Sequence, residues 1–121
     1  MNSCLIVDDS KVIRKVARRI LEDFDLKIDE ACDGQEALDH VAKEMPDVIF
    51  LDWNMPVMGG MQFLENLRGR ESEKRPTVIF CTTENDMGHI RAAMDAGADE
   101  YIMKPFDRDI IAAKLTQVGV I

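Results

Sequence analysis

The chain has 121 residues, 46% hydrophobic and 31% charged, with a formal net charge of −8. That length suits one domain able to bury a core without disulfide or metal staples. The acidic balance argues against nucleic-acid binding, which rests on basic surface, and neither a membrane-length apolar run nor a signal-peptide pattern is present.

Cys4-Leu5-Ile6-Val7 is an unbroken apolar run ending in Asp8-Asp9-Ser10, the pattern of a strand buried on both faces. From Lys11 the pattern turns helical. Val12, Val16, Ile20 and Phe24 recur every four residues, Ile13, Ala17 and Leu21 widen the stripe, and Lys11, Arg14, Lys15, Arg18 and Arg19 face outward. Residues 27–32 read as a short strand with polar interruptions. Asp33-Gly34-Gln35-Glu36 could turn a hairpin, but Ala37, Leu38, Val41 and Ala42 follow at helical spacing. Asp33 therefore reads as an N-cap, with Glu36 three residues on in a capping-box arrangement.

After Met45-Pro46 comes a second unbroken run, Val48-Ile49-Phe50-Leu51, ending abruptly in Asp52 and a turn that carries Pro56, Gly59 and Gly60. Met61, Phe63, Leu64 and Leu67 mark a third helix, which runs out near Gly69 into a charged loop closed by Pro76. Val78-Ile79-Phe80-Cys81 is another apolar strand, ending in Thr82-Thr83-Glu84. A fourth helix carries Ile90, Ala93 and Met94, with Gly97 as its C′ residue. Tyr101-Ile102-Met103 is a short fifth strand before Lys104-Pro105. Asp107 caps a last helix with Ile110, Ile111, Lys114, Leu115 and Val118 on its inner side. Cys4, Cys32 and Cys81, odd in number and set among apolar neighbours, suit core residues in a reducing compartment.

Strands alternating with helices imply an α/β fold: a parallel sheet with helices on both faces and right-handed crossovers. The three continuously apolar strands belong in the centre and the two more polar ones at the edges. That gives a flavodoxin-like order of 2-1-3-4-5 in a single domain. Asp8, Asp9 and Asp52 then converge at the carboxyl rim of neighbouring strands, where open α/β sheets place their ligands. Three carboxylates cannot crowd together ionised at neutral pH without a raised pKa or a cation. Mg²⁺ answers that need with oxygen ligands and retained waters. Thr82 brings a hydroxyl and Lys104 an ammonium to the same rim, so the constellation suits a phosphoryl group. Taken singly, each residue has an ordinary role: Asp9-Ser10 as a helix cap, Asp52 in a turn, Thr82 at a strand end, Lys104 as a solvated charge.

Leu5-Ile6-Val7-Asp8-Asp9-Ser10, Leu51-Asp52-Trp53-Asn54-Met55-Pro56, Thr82-Thr83-Glu84 and Lys104-Pro105-Phe106 resemble the receiver domain of bacterial two-component response regulators, nearest to the stand-alone chemotaxis type. The resemblance covers essentially the whole chain and implies a receiver domain over residues 1–121 with no effector domain. It implies that Asp52 takes a phosphoryl group from a histidine kinase, a histidine phosphotransfer protein or a small phosphodonor. Asp8, Asp9, Asp52 and the backbone carbonyl of Asn54 would hold Mg²⁺, with Mn²⁺ as a substitute. Thr82 and Lys104 would bind phosphoryl oxygens, the Lys104–Pro105 bond would be cis, and Tyr101 would be the aromatic switch. Asn54 and Glu84 would flank the path of hydrolytic water and set a quick self-dephosphorylation. Such a protein is a phospho-accepting signalling module, an enzyme only toward its own phosphorylation and dephosphorylation.

The implied output face joins the fourth helix, fifth strand and fifth helix, with Met87, Ile90, Arg91, Met94, Tyr101, Met103 and Lys114 toward a downstream protein. Arg14, Lys15, Arg18 and Arg19 either help dock an acidic histidine-bearing helix pair or form a solvated face. The protein is expected to be a cytoplasmic monomer in chemotaxis-like or phosphorelay signalling. Two departures stand out: Thr83 where the family has a small residue, and Met58-Gly59-Gly60 where an acidic residue commonly precedes the second glycine. The second predicts a looser loop after Asp52. A haloacid dehalogenase-type phosphatase would want a second Asp where Asn54 stands, and in an FMN-binding module Asp8-Asp9 would repel phosphate. His40 and His89 read as surface or packing residues.

Overall fold

The computed structural model describes residues 2–53, 55–70, 74–82 and 87–121. Its elements in chain order are β1 (Asn2–Val7), α1 (Lys11–Glu22), β2 (Leu26–Ala31), α2 (Gly34–Lys43), β3 (Val48–Asp52), α3 (Gly60–Arg68), β4 (Thr77–Thr82), α4 (Met87–Asp95), β5 (Glu100–Met103) and α5 (Arg108–Gln117). All strand pairs are parallel, and the sheet order is β2-β1-β3-β4-β5. The three apolar runs do occupy the centre. Every residue of β3 is buried, whereas β2 alternates and β5 is half-exposed. Burial on both faces is what lets a strand dispense with alternation.

Two apolar layers result, one on each face of the sheet. Leu5, Val7, Ile49, Leu51, Val78 and Phe80 pack with Phe63 and Leu64 of α3 and Leu38 and Val41 of α2. Cys4, Ile6, Phe50, Ile79 and Cys81 pack with Ala17 and Leu21 of α1 and Ile111 and Leu115 of α5. Alternate strand residues thus serve opposite layers, as the strand repeat requires.

Local signals fix the helix ends. Asp33 accepts from the Glu36 N–H at 2.8 Å and Asp107 from the Ile110 N–H at 2.9 Å. Glu36 reaches back to the Cys32 N–H at 3.2 Å, one residue earlier than in a standard capping box. Gly97, at a φ of +108°, closes α4: its N–H meets the Met94 carbonyl and the Ala98 N–H meets that of Ala93. That paired arrangement is a Schellman motif.

Three expectations need correction. The buried stripe of α1 runs through Ala17 and Leu21, while Val12 is 69% and Val16 44% exposed. A four-residue repeat drifts around a 3.6-residue helix, so those valines leave the core face. On α5, Ile110 is likewise exposed and only Ile111 and Leu115 are buried. Cys4 and Cys81 are core residues, and burial pushes the Cys4 thiol up to about 12. Cys32 is half-buried instead and donates to Glu36 at 3.2 Å.

Candidate phosphoryl and metal site

Strand register builds the site. Val7 lies opposite Leu51, so Asp8 and Asp52 leave adjacent strands at the same level. Asp52 is paired with Cys81, and Thr82 with Met103, which brings Thr82 and Lys104 to the rim in turn. One carboxylate oxygen from each of Asp8, Asp9 and Asp52 lies within 4.8 Å of the others. Asp8, Asp52 and Thr82 are buried, and Asp9 is exposed. From the far edge, the Lys104 ammonium donates to Asp8 Oδ2 at 2.8 Å and to Asp52 Oδ1 at 2.9 Å. The Lys104 N–H donates to the Thr82 carbonyl at 2.8 Å, and the Lys104–Pro105 bond is cis. The other oxygen of Asp8 accepts from the Ser10 N–H at 2.9 Å, and Ser10 in turn caps α1. The capping role and the site role of Asp8-Asp9-Ser10 therefore coexist.

Burial pushes the Asp52 carboxyl above its usual range; the Lys104 hydrogen bond opposes this, and the charges of Asp8 and Asp9 add to it. For Lys104, burial disfavours the ammonium, but the bonds to Asp8 and Asp52 win and its pKa ends above the ordinary lysine value. One ammonium facing three carboxylates leaves a surplus of negative charge. A hard cation fits that surplus. Trans oxygens around octahedral Mg²⁺ stand about 4.2 Å apart, so carboxylates within 4.8 Å need only small rotations to share one ion.

The turn after Asp52 is held from several sides. Trp53 donates its N–H to the Cys81 carbonyl, and its own carbonyl accepts from the Gly60 N–H, each at 3.0 Å. Its ring meets Phe80 edge-on at 5.2 Å and stacks on His89 of α4 at 4.2 Å. His89 is thus a packing residue, as expected, but beside the site; no spacing in the sequence couples residues 53 and 89. Gly59 leaves α3 without a side-chain cap, as its lack of a side chain requires. Met58 bonds both Pro56 and Gly34 through its backbone. Asn54, Thr83 and Glu84 lie outside the described residues.

On the anticipated output face, Met87, Arg91 and Met94 are exposed, and Tyr101, Met103 and Lys114 are half-buried. The Lys114 ammonium sits 4.4 Å above the Tyr101 ring and 3.2 Å from Glu100. Ile90 does not belong there: it is buried, turned inward by the same helical period that exposes Arg91. The basic face of α1 also shrinks. Arg14 and Arg18 fold onto β2 and bond Glu30 at 3.0 and 2.7 Å, leaving Lys15 and Arg19 outward beside Val12 and Val16.

A family model described as the response regulator receiver domain matches residues 4–116. Chemotaxis protein CheY-3 of Vibrio cholerae is 36% identical over 115 residues, covering 94% of this chain and 88% of that protein. Response regulator MprA of Mycobacterium tuberculosis is 34% identical over 111 residues, 92% of this chain; the match spans only 47% of MprA. Among solved structures, CheY4 of Vibrio cholerae superposes with a TM-score of 0.90 at 34% identity, over 98% of both chains. The receiver domain of Francisella response regulator 1452 gives 0.87 at 27% identity, over 98% of this chain and 96% of that one. These matches decide against the dehalogenase and flavin-binding alternatives. With its sheet order, its three rim carboxylates and its bridging lysine, this chain belongs to the response regulator receiver family.

Proposed function

We propose that Asp52 is the phosphoacceptor of a two-component or phosphorelay pathway. The observation that carries this is the convergence of Asp8, Asp9 and Asp52 under an ammonium that bridges two of them. An Asp52 oxygen attacks phosphorus as the phosphorus–nitrogen bond of a donor phosphohistidine breaks. The imidazole leaves, and an acyl phosphate remains on Asp52. Asp8, Asp9, Asp52 and the carbonyl of Asn54 would hold Mg²⁺ or Mn²⁺, which supplies positive charge to the transferring oxygens. Lys104 follows the charge from the carboxylate pair to the phosphoryl group. Thr82, buried at the end of β4, donates its hydroxyl to a phosphoryl oxygen. Asn54 and Glu84 tune the later attack of water, which returns the carboxylate and releases phosphate.

Phosphorylation then biases the face of α4, β5 and α5, with Tyr101 as switch and Met87, Arg91, Met94, Met103 and Lys114 toward a downstream protein. The donor docks on α1, where Val12, Lys15, Val16, Arg19 and Ile20 line a groove of about 310 Å³. Apolar floor and cationic rim together suit an acidic amphipathic helix pair. Among the described residues, no helix is long and apolar enough to cross a membrane. The test is intact mass after acetyl phosphate and Mg²⁺. Wild type gains the mass of one phosphoryl group and Asp52→Asn does not; equal labelling of both would refute the assignment.

A further inference from the structure

The loop that leaves Asp52 is anchored to a helix that has no part in the chemistry described above. Gly34, the first residue of α2, donates its N–H to the Met58 carbonyl at 3.0 Å. A helix's first N–H has no partner within its own helix, so this bond satisfies both groups. The approach is too close for a side chain. A Cβ at Gly34 would stand 2.6 Å from the Met58 oxygen and 2.7 Å from its Cγ. The backbone of Gly34 is one that any residue adopts, so proximity alone demands glycine here.

On the loop side, Met58 also donates to the Pro56 carbonyl at 2.7 Å, and its side chain packs against the core. Between Pro56 and Met58, Val57 sits at a φ of +67° while 82% exposed. A β-branched residue in the left-handed region is strained and persists only where its surroundings impose it. The bond from Gly34 is one of the restraints that impose it. At its other end the loop closes through Gly60, whose absent Cβ would overlap the Asp52 carbonyl oxygen.

We infer that Gly34 is a positioning residue for the rim: its bare backbone pins the Asp52 loop and so sets the geometry offered to a divalent cation. This rests on the metal-site reading above. It predicts a particular selectivity, because Mg²⁺ demands near-ideal octahedral geometry at short distance whereas Ca²⁺ accepts irregular sites.

The test is calorimetric titration of the whole chain with Mg²⁺ and, separately, Ca²⁺, for wild type, Gly34→Ala and Gly59→Ala. Alanine is otherwise the better helix residue. Gly34→Ala should weaken Mg²⁺ about tenfold, the low end of what changes around a metal site cost, and Ca²⁺ clearly less, since Ca²⁺ accepts irregular sites. Gly59→Ala is the control: its Cβ would meet only the Trp53 oxygen, at an ordinary 3.5 Å, and both affinities should stay at wild type. Unfolding curves in EDTA verify that each variant is folded. If Gly34→Ala does not fold, Gly34→Ala with Met58→Ala keeps the backbone clash and removes the Cγ contact. Unchanged Mg²⁺ affinity in the Gly34 variant, or an equal loss for both cations, overturns the inference alone. A wild type that binds neither cation overturns the metal site and the inference with it.

Discussion

The two ends of the sheet hold their charges in opposite ways. At the amino end, Arg68 of α3 is spent entirely on the protein: it bonds the Gly97 carbonyl at 3.0 Å, the Pro76 carbonyl at 2.9 Å and Asp99 at 3.0 Å. Arg75 takes the other Asp99 oxygen at 2.9 Å, and the Val78 N–H adds a bond at 2.8 Å. Burial and the charge of Arg75 pull the Arg68 pKa below its usual value, with Asp99 opposing them. This is a brace, in which surplus positive charge ends on backbone carbonyls. At the carboxyl rim, the surplus is negative and Lys104 cannot cover it. One charge cluster satisfies itself within the protein, whereas the other keeps a surplus of negative charge among the described residues.

Removing the cation at each end should break that symmetry. Lys104→Met leaves Asp8 and Asp52 buried without their shared partner, a loss of about 3 kcal/mol in EDTA. Added Mg²⁺ at about a hundred times its dissociation constant should restore most of it, since binding contributes about 2.7 kcal/mol. Thermal unfolding with and without Mg²⁺ measures both. A variant as stable as wild type in EDTA would show that the rim is not strained. At the brace, Arg68→Ala should cost about 2 kcal/mol by denaturant unfolding and leave Mg²⁺ affinity untouched. A shift in affinity would mean that the two ends are coupled.

A smaller effect sharpens the contrast through pH. Burial works against the Glu30 carboxylate, but its bonds to Arg18 and Arg14 win and hold its pKa below the usual range. A group whose folded pKa is lowered stabilises above its unfolded value, about 4.3, and the contribution fades as pH falls through the folded value. Glu30→Gln should therefore cost about 1 kcal/mol at pH 7 and progressively less as pH falls through the folded value. Asp52 has the opposite sign: its raised pKa means that its ionised form burdens the metal-free fold at neutral pH and ceases to do so on acidification. A Glu30→Gln gap that stayed constant with pH would separate Glu30 from its arginines.

The sequence by itself determined the layout. Unbroken apolar runs marked the central strands, since only burial on both faces tolerates them, and Asp33, Gly97 and Asp107 marked helix ends through short-range bonds. Asp8, Asp9, Asp52, Thr82 and Lys104 were legible because each ends a strand or lies within two residues of its end, and a parallel sheet gathers such ends on one rim. What lay between elements was not legible. Which side of α1 was buried depended on a drift of about ten degrees per residue, and Arg14 and Arg18 turned to Glu30 across a contact that no spacing encodes. The Trp53–His89 stack and the bond from Gly34 to Met58 join residues far apart in the chain. Local propensity acts over a few residues, while close approach of backbones is settled only once the helices have docked on the sheet. The tertiary structure alone decided which backbone contacts the described part of the Asp52 loop makes.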